Sequence, residues 1–157
     1  TISTSKNLKN LYTSFFNSDH LFVLGKNKSE AIAKEGSLKI KEISYIHAEG
    51  YSGSSLKHGP FALLCKDFPV VLVMPKNKDF DKMKNAYQEI KSRDAEILCI
   101  TDDVNFESKH KITIVHNEIF ADLLCIIPLQ FAAYFLSLHK GHNPDQPRNL
   151  AKVVTVE

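Results

Sequence analysis

No run of five or more lysines or arginines occurs in the 157 residues. That leaves out the basic arms and patches that hold nucleic acid or an anionic membrane. No Cys-x-x-Cys pair, no His-Glu-x-x-His and no Cys/His cluster is present, so no metal site is expected. The three cysteines, Cys65, Cys99 and Cys125, are odd in number and lie beside apolar residues. They read as buried free thiols of a reducing compartment. Neither G-x-x-x-x-G-K-[ST] nor G-x-G-x-x-G occurs, which removes the usual nucleotide cradles. Internal repeats and low-complexity tracts are missing too. There is no signal-peptide pattern, and Thr1 stands where an initiator Met would, so a cut from a longer chain is expected.

What is present is globular. Charged residues make up 24%, hydrophobic residues 43%, and the formal charge is +2. The length fits one domain. Short apolar runs at 21–25, 70–75, 96–101 and 112–115 read as strands buried on both faces, the mark of a mostly parallel sheet. Helices are expected from Leu8 to Phe16, Ser29 to Tyr45, over 60–65, from Asp79 to Ser92, and from Ile119 to His139 with a bend at Pro128. Ser29 and Asp79 are the candidate N-caps. The last of these helices imitates a membrane span, but Asp122, Pro128 and Gln130 interrupt it. A helix buried in an α/β core is the better reading, with no membrane. The alternation predicts an α/β fold, a doubly wound sheet with ligands at the C-terminal ends of its strands.

Four places can carry chemistry. Glu35, Lys39 and Glu42 stand at i, i+4 and i+7, which puts them on one helical face. Such a stripe is either a solvated ion-pair row or a carboxylate base beside a cation. His58, in Leu-Lys-His-Gly-Pro, can shuttle protons near neutral pH or simply pack at the surface. The Gly/Ser-rich stretch at 50–55 is either a flexible loop or a set of phosphate donors. Lys152 lies in a polar tail from His142 to Glu157. It matters only if that tail folds back over a pocket, where a lowered pKa would let its amine attack a sugar carbonyl.

Four segments carry a resemblance: EGSLKIKEISYIHAEGY at 35–51, LKHGP at 56–60, IPLQFAAYFLSLHKG at 127–141 and DQPRNLAKVVTVE at 145–157. Together they resemble, in order along the chain, the C-terminal part of the glutamine–fructose-6-phosphate aminotransferase (isomerising) family. That resemblance implies a sugar-isomerase (SIS) type three-layer αβα sandwich over 1–141, with a tail at 142–157 that closes the active site. It implies roles as well. Lys152 matches the Schiff-base lysine, Glu42 the base between C1 and C2, and His58 a histidine that assists ring opening across a dimer interface. Lys39 and Glu35 match polar partners of the same helix, and Ala151 a tail residue that meets substrate through its backbone. Two turns depart from the family pattern: Gly25-Lys26-Asn27 stands for Gly-Arg-Gly, and Ser54-Ser55 for Gly-Glu.

The implied reaction turns fructose 6-phosphate and glutamine into glucosamine 6-phosphate and glutamate, at the start of hexosamine biosynthesis in the cytoplasm. No metal or organic cofactor is called for. The implied partners are sugar phosphate, a missing N-terminal SIS lobe, a glutaminase domain and a second copy in a homodimer. Without them the chain is expected to be inactive. Two other readings stay open, a fructosamine deglycase or phosphosugar isomerase, and a non-catalytic sugar-phosphate-binding SIS module.

Overall fold

A computed structural model describes residues 5–15 and 18–149. Five strands form one sheet: β1 His20–Gly25, β2 His47–Ser52, β3 Pro69–Val73, β4 Glu96–Thr101 and β5 His110–Thr113. Their order is β2-β1-β3-β4-β5 and every pairing is parallel. The helices are α1 Ser5–Phe15, α2 Lys28–Ser44, α3 Phe80–Lys91, α4 Ala121–Leu124 and α5 Ile126–His139.

Alternate residues of each central strand point to opposite faces, as the period of two requires. Val23, Val71, Val73, Leu98 and Ile100 join α1, α2 and α5 in one core. Phe22, Leu24, Val70, Leu72, Ile97 and Cys99 meet α3 in the other. The three expected layers are therefore present, with the heavier helical layer on the first face.

The apolar runs located β1, β3, β4 and β5 to within a few residues. β2 went unread, and the Gly/Ser-rich stretch taken as a loop is partly this strand. Its sequence, His47-Ala48-Glu49-Gly50-Tyr51-Ser52, has one fully buried apolar side chain, Ala48. The helix expected over 60–65 is one 3-10 turn, Pro60–Leu63, and a second such turn, Ser55–His58, precedes it. Asp79 stands at the N-cap of α3, as expected, but its side chain makes no capping bond and instead accepts one from Asn27. Ser29 lies inside α2 and donates to Asp122. The long apolar helix breaks between Leu124 and Ile126, where Pro128 has no N–H to offer the Leu124 carbonyl. Cys99 and Cys125 are buried free thiols, and burial pushes Cys99 up to about 12. Cys65, also free, is exposed, contrary to expectation.

α2 and α5 pack backbone to side chain. A Cβ on Gly36 would come within 2.9 Å of Leu129 Cβ and closer still to Leu129 Cδ1. Leu129 is 1% exposed and has no room to retreat. Replacing Gly36 with Ala should gain about 1 kcal/mol of helix propensity and lose about 1–3 kcal/mol to overpacking. We expect net destabilisation in urea unfolding. Added to Leu129→Ala, the same change should cost less, because the Cγ and Cδ1 clashes are gone and only the 2.9 Å approach of the two Cβ atoms remains.

Candidate active site

α2 connects two neighbouring parallel strands, so it runs antiparallel to them. Its C-terminal half therefore lies at the N-terminal edge of the sheet. There Lys39 Nζ donates to Glu42 Oε2 at 2.9 Å and lies 3.6 Å from Glu35 Oε1. Helix geometry thus brings the three expected residues together. Glu42 is the most sheltered, with 25% of its side chain exposed against 48% for Glu35. The hydrogen bond to Glu42 holds the Lys39 ammonium above the ordinary lysine value. Partial burial opposes this, and the charges of both glutamates reinforce it. Lys39 is thereby held as a cation beside the carboxylate.

Glu42 opens onto a cleft of about 510 Å³ lined by Leu38, Lys41, Tyr45, His47, Arg148 and Asn149. Tyr45 and Arg148 form one wall, with His142 against the Tyr45 ring behind it, and no spacing pattern announced them. Arg148 N–H bonds to Tyr45 Oη across 103 positions of sequence. Ala151 and Lys152, the expected tail residues, lie outside the described residues.

The expected end of the sheet is the wrong one for this cleft. At the C-terminal edge the strand order reverses between β1 and β3, and polar side chains fill that point. Asn27 donates to Asp79 at 2.6 Å and Asn77 to Asp122 at 3.1 Å. Asp102, its side chain fully buried, accepts from Lys76 N–H and pairs with His116 at 2.7 Å. Three carboxylates clustered there disfavour an anionic ligand. Among the described residues no group of three His, Cys, Asp or Glu side chains can hold a metal ion.

His58 does not join the glutamates within one chain. It is exposed at the end of the 3-10 turn that follows β2. That turn packs on the α3 face: Leu56 enters the second core, Lys57 pairs with Glu89 at 2.6 Å, and Arg93 lies 4.0 Å above the Phe61 ring. Glu42 sits at the opposite face and the opposite end of β2. The six-residue strand alone separates those ends by about 17 Å. The two turns that depart from the family pattern touch each other, since Lys26 Nζ donates to Ser54 Oγ at 2.6 Å.

A five-stranded, all-parallel α/β lobe with an acid–lysine–acid stripe at one sheet edge is the kind of scaffold on which sugar-phosphate isomerases are built. The family model for the SIS domain matches residues 14–140, and the chain belongs to that family. Within it, the chain is 55% identical over 145 residues to a protein of Acanthamoeba polyphaga mimivirus described as a probable glutamine–fructose-6-phosphate aminotransferase (isomerising). That match covers 91% of this chain and 24% of the relative. The glutamine–fructose-6-phosphate aminotransferase (isomerising) of Escherichia coli K12 is 42% identical, over 99% of this chain and 26% of its own. The chain thus spans about a quarter of the length of these curated relatives. The C-terminal domain of glucosamine-fructose-6-phosphate aminotransferase from Francisella tularensis superposes with a TM-score of 0.84 and 33% identity. The match covers 92% of this chain and 42% of that one.

The Lys39–Glu42 contact predicts a measurable titration. Its contribution to stability should be fully present below the ordinary lysine pKa and lost as pH rises through the raised one. In Glu42→Gln the Lys39 pKa should fall toward the ordinary value, read by NMR from the Lys39 side chain. An unchanged titration would mean that the pair is not formed in solution.

Proposed function

We propose that this chain is the second sugar-isomerase lobe of a glutamine–fructose-6-phosphate aminotransferase and carries its ketose-to-aldose machinery. The observation that supports this most is the Glu42 cleft, where the carboxylate that Lys39 holds shares the lining with Arg148 and Asn149 at the root of the 142–157 tail.

In this reading the Lys152 amine attacks C2 of ring-opened fructose 6-phosphate, expels water and forms a Schiff base. Asn149 lines the cleft, and three residues of chain reach at most about 11 Å, so Lys152 is tethered within range of it. Glu42 takes a proton from C1 and returns one to C2, a transfer that a single carboxylate over the C1–C2 bond can perform. Lys39 keeps that carboxylate in place and offers positive charge to the electron-rich intermediate. Ala151 would meet the sugar through its backbone, and Glu35 completes the polar row. His58 would come from a second copy, since its own chain holds it on the other face and at the other end of the sheet. No metal or organic cofactor enters the scheme. The tail over 142–157, closing on the site of the 1–141 domain, would exclude water.

The missing N-terminal lobe fits a second feature. α5 is apolar all round, and a helix of that kind is ordinarily covered on every side. Here Ile127, Phe131, Tyr134 and Leu138 remain exposed, in line with Ile119 and Leu123 before them. The segment Ala121–His139 is long and apolar enough to cross a membrane by composition, but 44% of its apolar window is buried in this fold. The Francisella domain is more than twice the length of this chain, so a second lobe of similar fold is the partner we assign to this face. A cytoplasmic homodimer that also holds a glutaminase domain completes the proposal.

In the full-length protein, Glu42→Gln should lower glucosamine 6-phosphate synthesis about 10²–10⁴-fold with little change in KM for fructose 6-phosphate. Co-expression of Glu42→Gln with His58→Ala should restore about a quarter of wild-type activity. Half of randomly mixed dimers are hybrids, and each hybrid holds one intact site. Failure to complement would overturn the shared site. The 157-residue chain alone, given fructose 6-phosphate and ammonia, should produce no glucosamine 6-phosphate. Turnover by it would refute the need for a second lobe.

A further inference from the structure

Tyr45 ends α2 in the left-handed conformation, with φ of 60°. Helices that stop this way normally place Gly there, because a side chain costs about 1 kcal/mol or more in that region. A tyrosine at such a position needs a use for its ring. The ring is held between two residues of the segment that follows α5. The His142 ring leans against it, with centroids 4.6 Å apart and planes tilted by 58°, and the Arg148 guanidinium carbon lies 3.9 Å from its centroid. Its Oη accepts the Arg148 N–H at 2.9 Å. Between these two contacts the chain turns on itself, with Gln146 N–H bonded to the Asn143 carbonyl. The root of the segment is tied to α5, where His142 N–H donates to the Ser137 carbonyl at 2.9 Å.

We propose that Tyr45 is a positioning residue that clamps the 142–149 segment to the end of α2 and so sets where the following tail meets Glu42. The proposal rests on the functional reading above, in which that tail carries the reacting lysine. Tyr45 is three residues from Glu42 on the same helix end and lines the same cleft. Clamp and base are therefore fixed to one rigid element. The stack between a cation and an aromatic face is tolerant of solvent and directional, which suits a segment that folds over a site from outside. Tyr45 need not touch the sugar for its loss to slow the reaction, because a misplacement of about 1 Å can cost about 10²-fold.

The test separates a clamp from a simple helix stop. In the full-length protein, Tyr45→Gly relieves the left-handed strain and should keep the melting temperature unchanged or raise it. It should nevertheless lower kcat for glucosamine 6-phosphate synthesis about 10–100-fold with KM for fructose 6-phosphate nearly unchanged. Amide hydrogen exchange across 142–149 should accelerate. Tyr45→Phe keeps both stacking contacts and should stay within about threefold of wild type. Arg148→Ala should reproduce the Tyr45→Gly effect. Wild-type kcat and wild-type exchange in Tyr45→Gly would overturn the clamp, as would Tyr45→Phe falling as far as Tyr45→Gly. If exchange rises in Tyr45→Gly while the wild-type protein makes no glucosamine 6-phosphate, the clamp stands and the functional reading fails instead.

Discussion

Leu129 of α5 lies against the bare backbone of Gly36 in α2, and the orientation of the Glu35, Lys39 and Glu42 face depends on that contact. A helix brought this close to its neighbour can neither rotate nor slide without a clash, since a packed interior has no slack to absorb it. Gly50 fastens the other side. A side chain there would run into the Lys34 backbone, so β2 and α2 also meet without an intervening Cβ. With both flanks fixed, the face bearing Glu35, Lys39 and Glu42 has one direction left to point. The direction of the stripe is set by what is small on the faces behind it.

That arrangement also explains which parts of the site were legible in the chain. Glu35, Lys39 and Glu42 could be grouped because helical spacing is a local property, and the structure joins them through Lys39. The strands β1, β3 and β4 were legible because burial on both faces demands unbroken apolar runs. β2 is an edge strand pressed against a helix, and it uses Ala48 and Gly50 where an inner strand uses Val or Ile. Its composition therefore looks like a loop. Tyr45 and Arg148 gave no signal because their meeting depends on tertiary closure across the whole sequence. The lone cysteine at 65 shows the same limit from the opposite side. Apolar neighbours in sequence did not bury it, because the short turns after β2 face outward.

The choice of sheet edge is the least expected feature. Open α/β sheets bind ligands where the strand order reverses, at the C-terminal edge. Here that point holds Asp79, Asp102 and Asp122 in a network with Asn27, Asn77, Lys76 and His116. Asn27 shields part of this charge, and its amide, more than Lys82, holds the Asp79 carboxyl below the usual carboxylate range. Carboxylates already satisfied by their own neighbours make that crevice a poor receptor for an anion, whereas at the opposite edge the end of α2 and the 142–149 segment form a cleft.

Separating Glu42 from His58 is the cost of that move. Both are attached to the ends of one short connection, α2–β2–turn, yet the crossover sends them to opposite faces and opposite ends of the sheet. No rotamer of either residue bridges a strand length of about 17 Å, so chemistry that needs both must recruit one from elsewhere. In the proposed homodimer, a symmetric contact that brings one copy's turn to the other's cleft would create two equivalent sites at once. The Gly59 backbone, at a φ of 138° that only glycine accepts comfortably, projects the His58 turn outward and leaves it exposed. In the proposed pair, that exposure would let the histidine reach a neighbouring cleft.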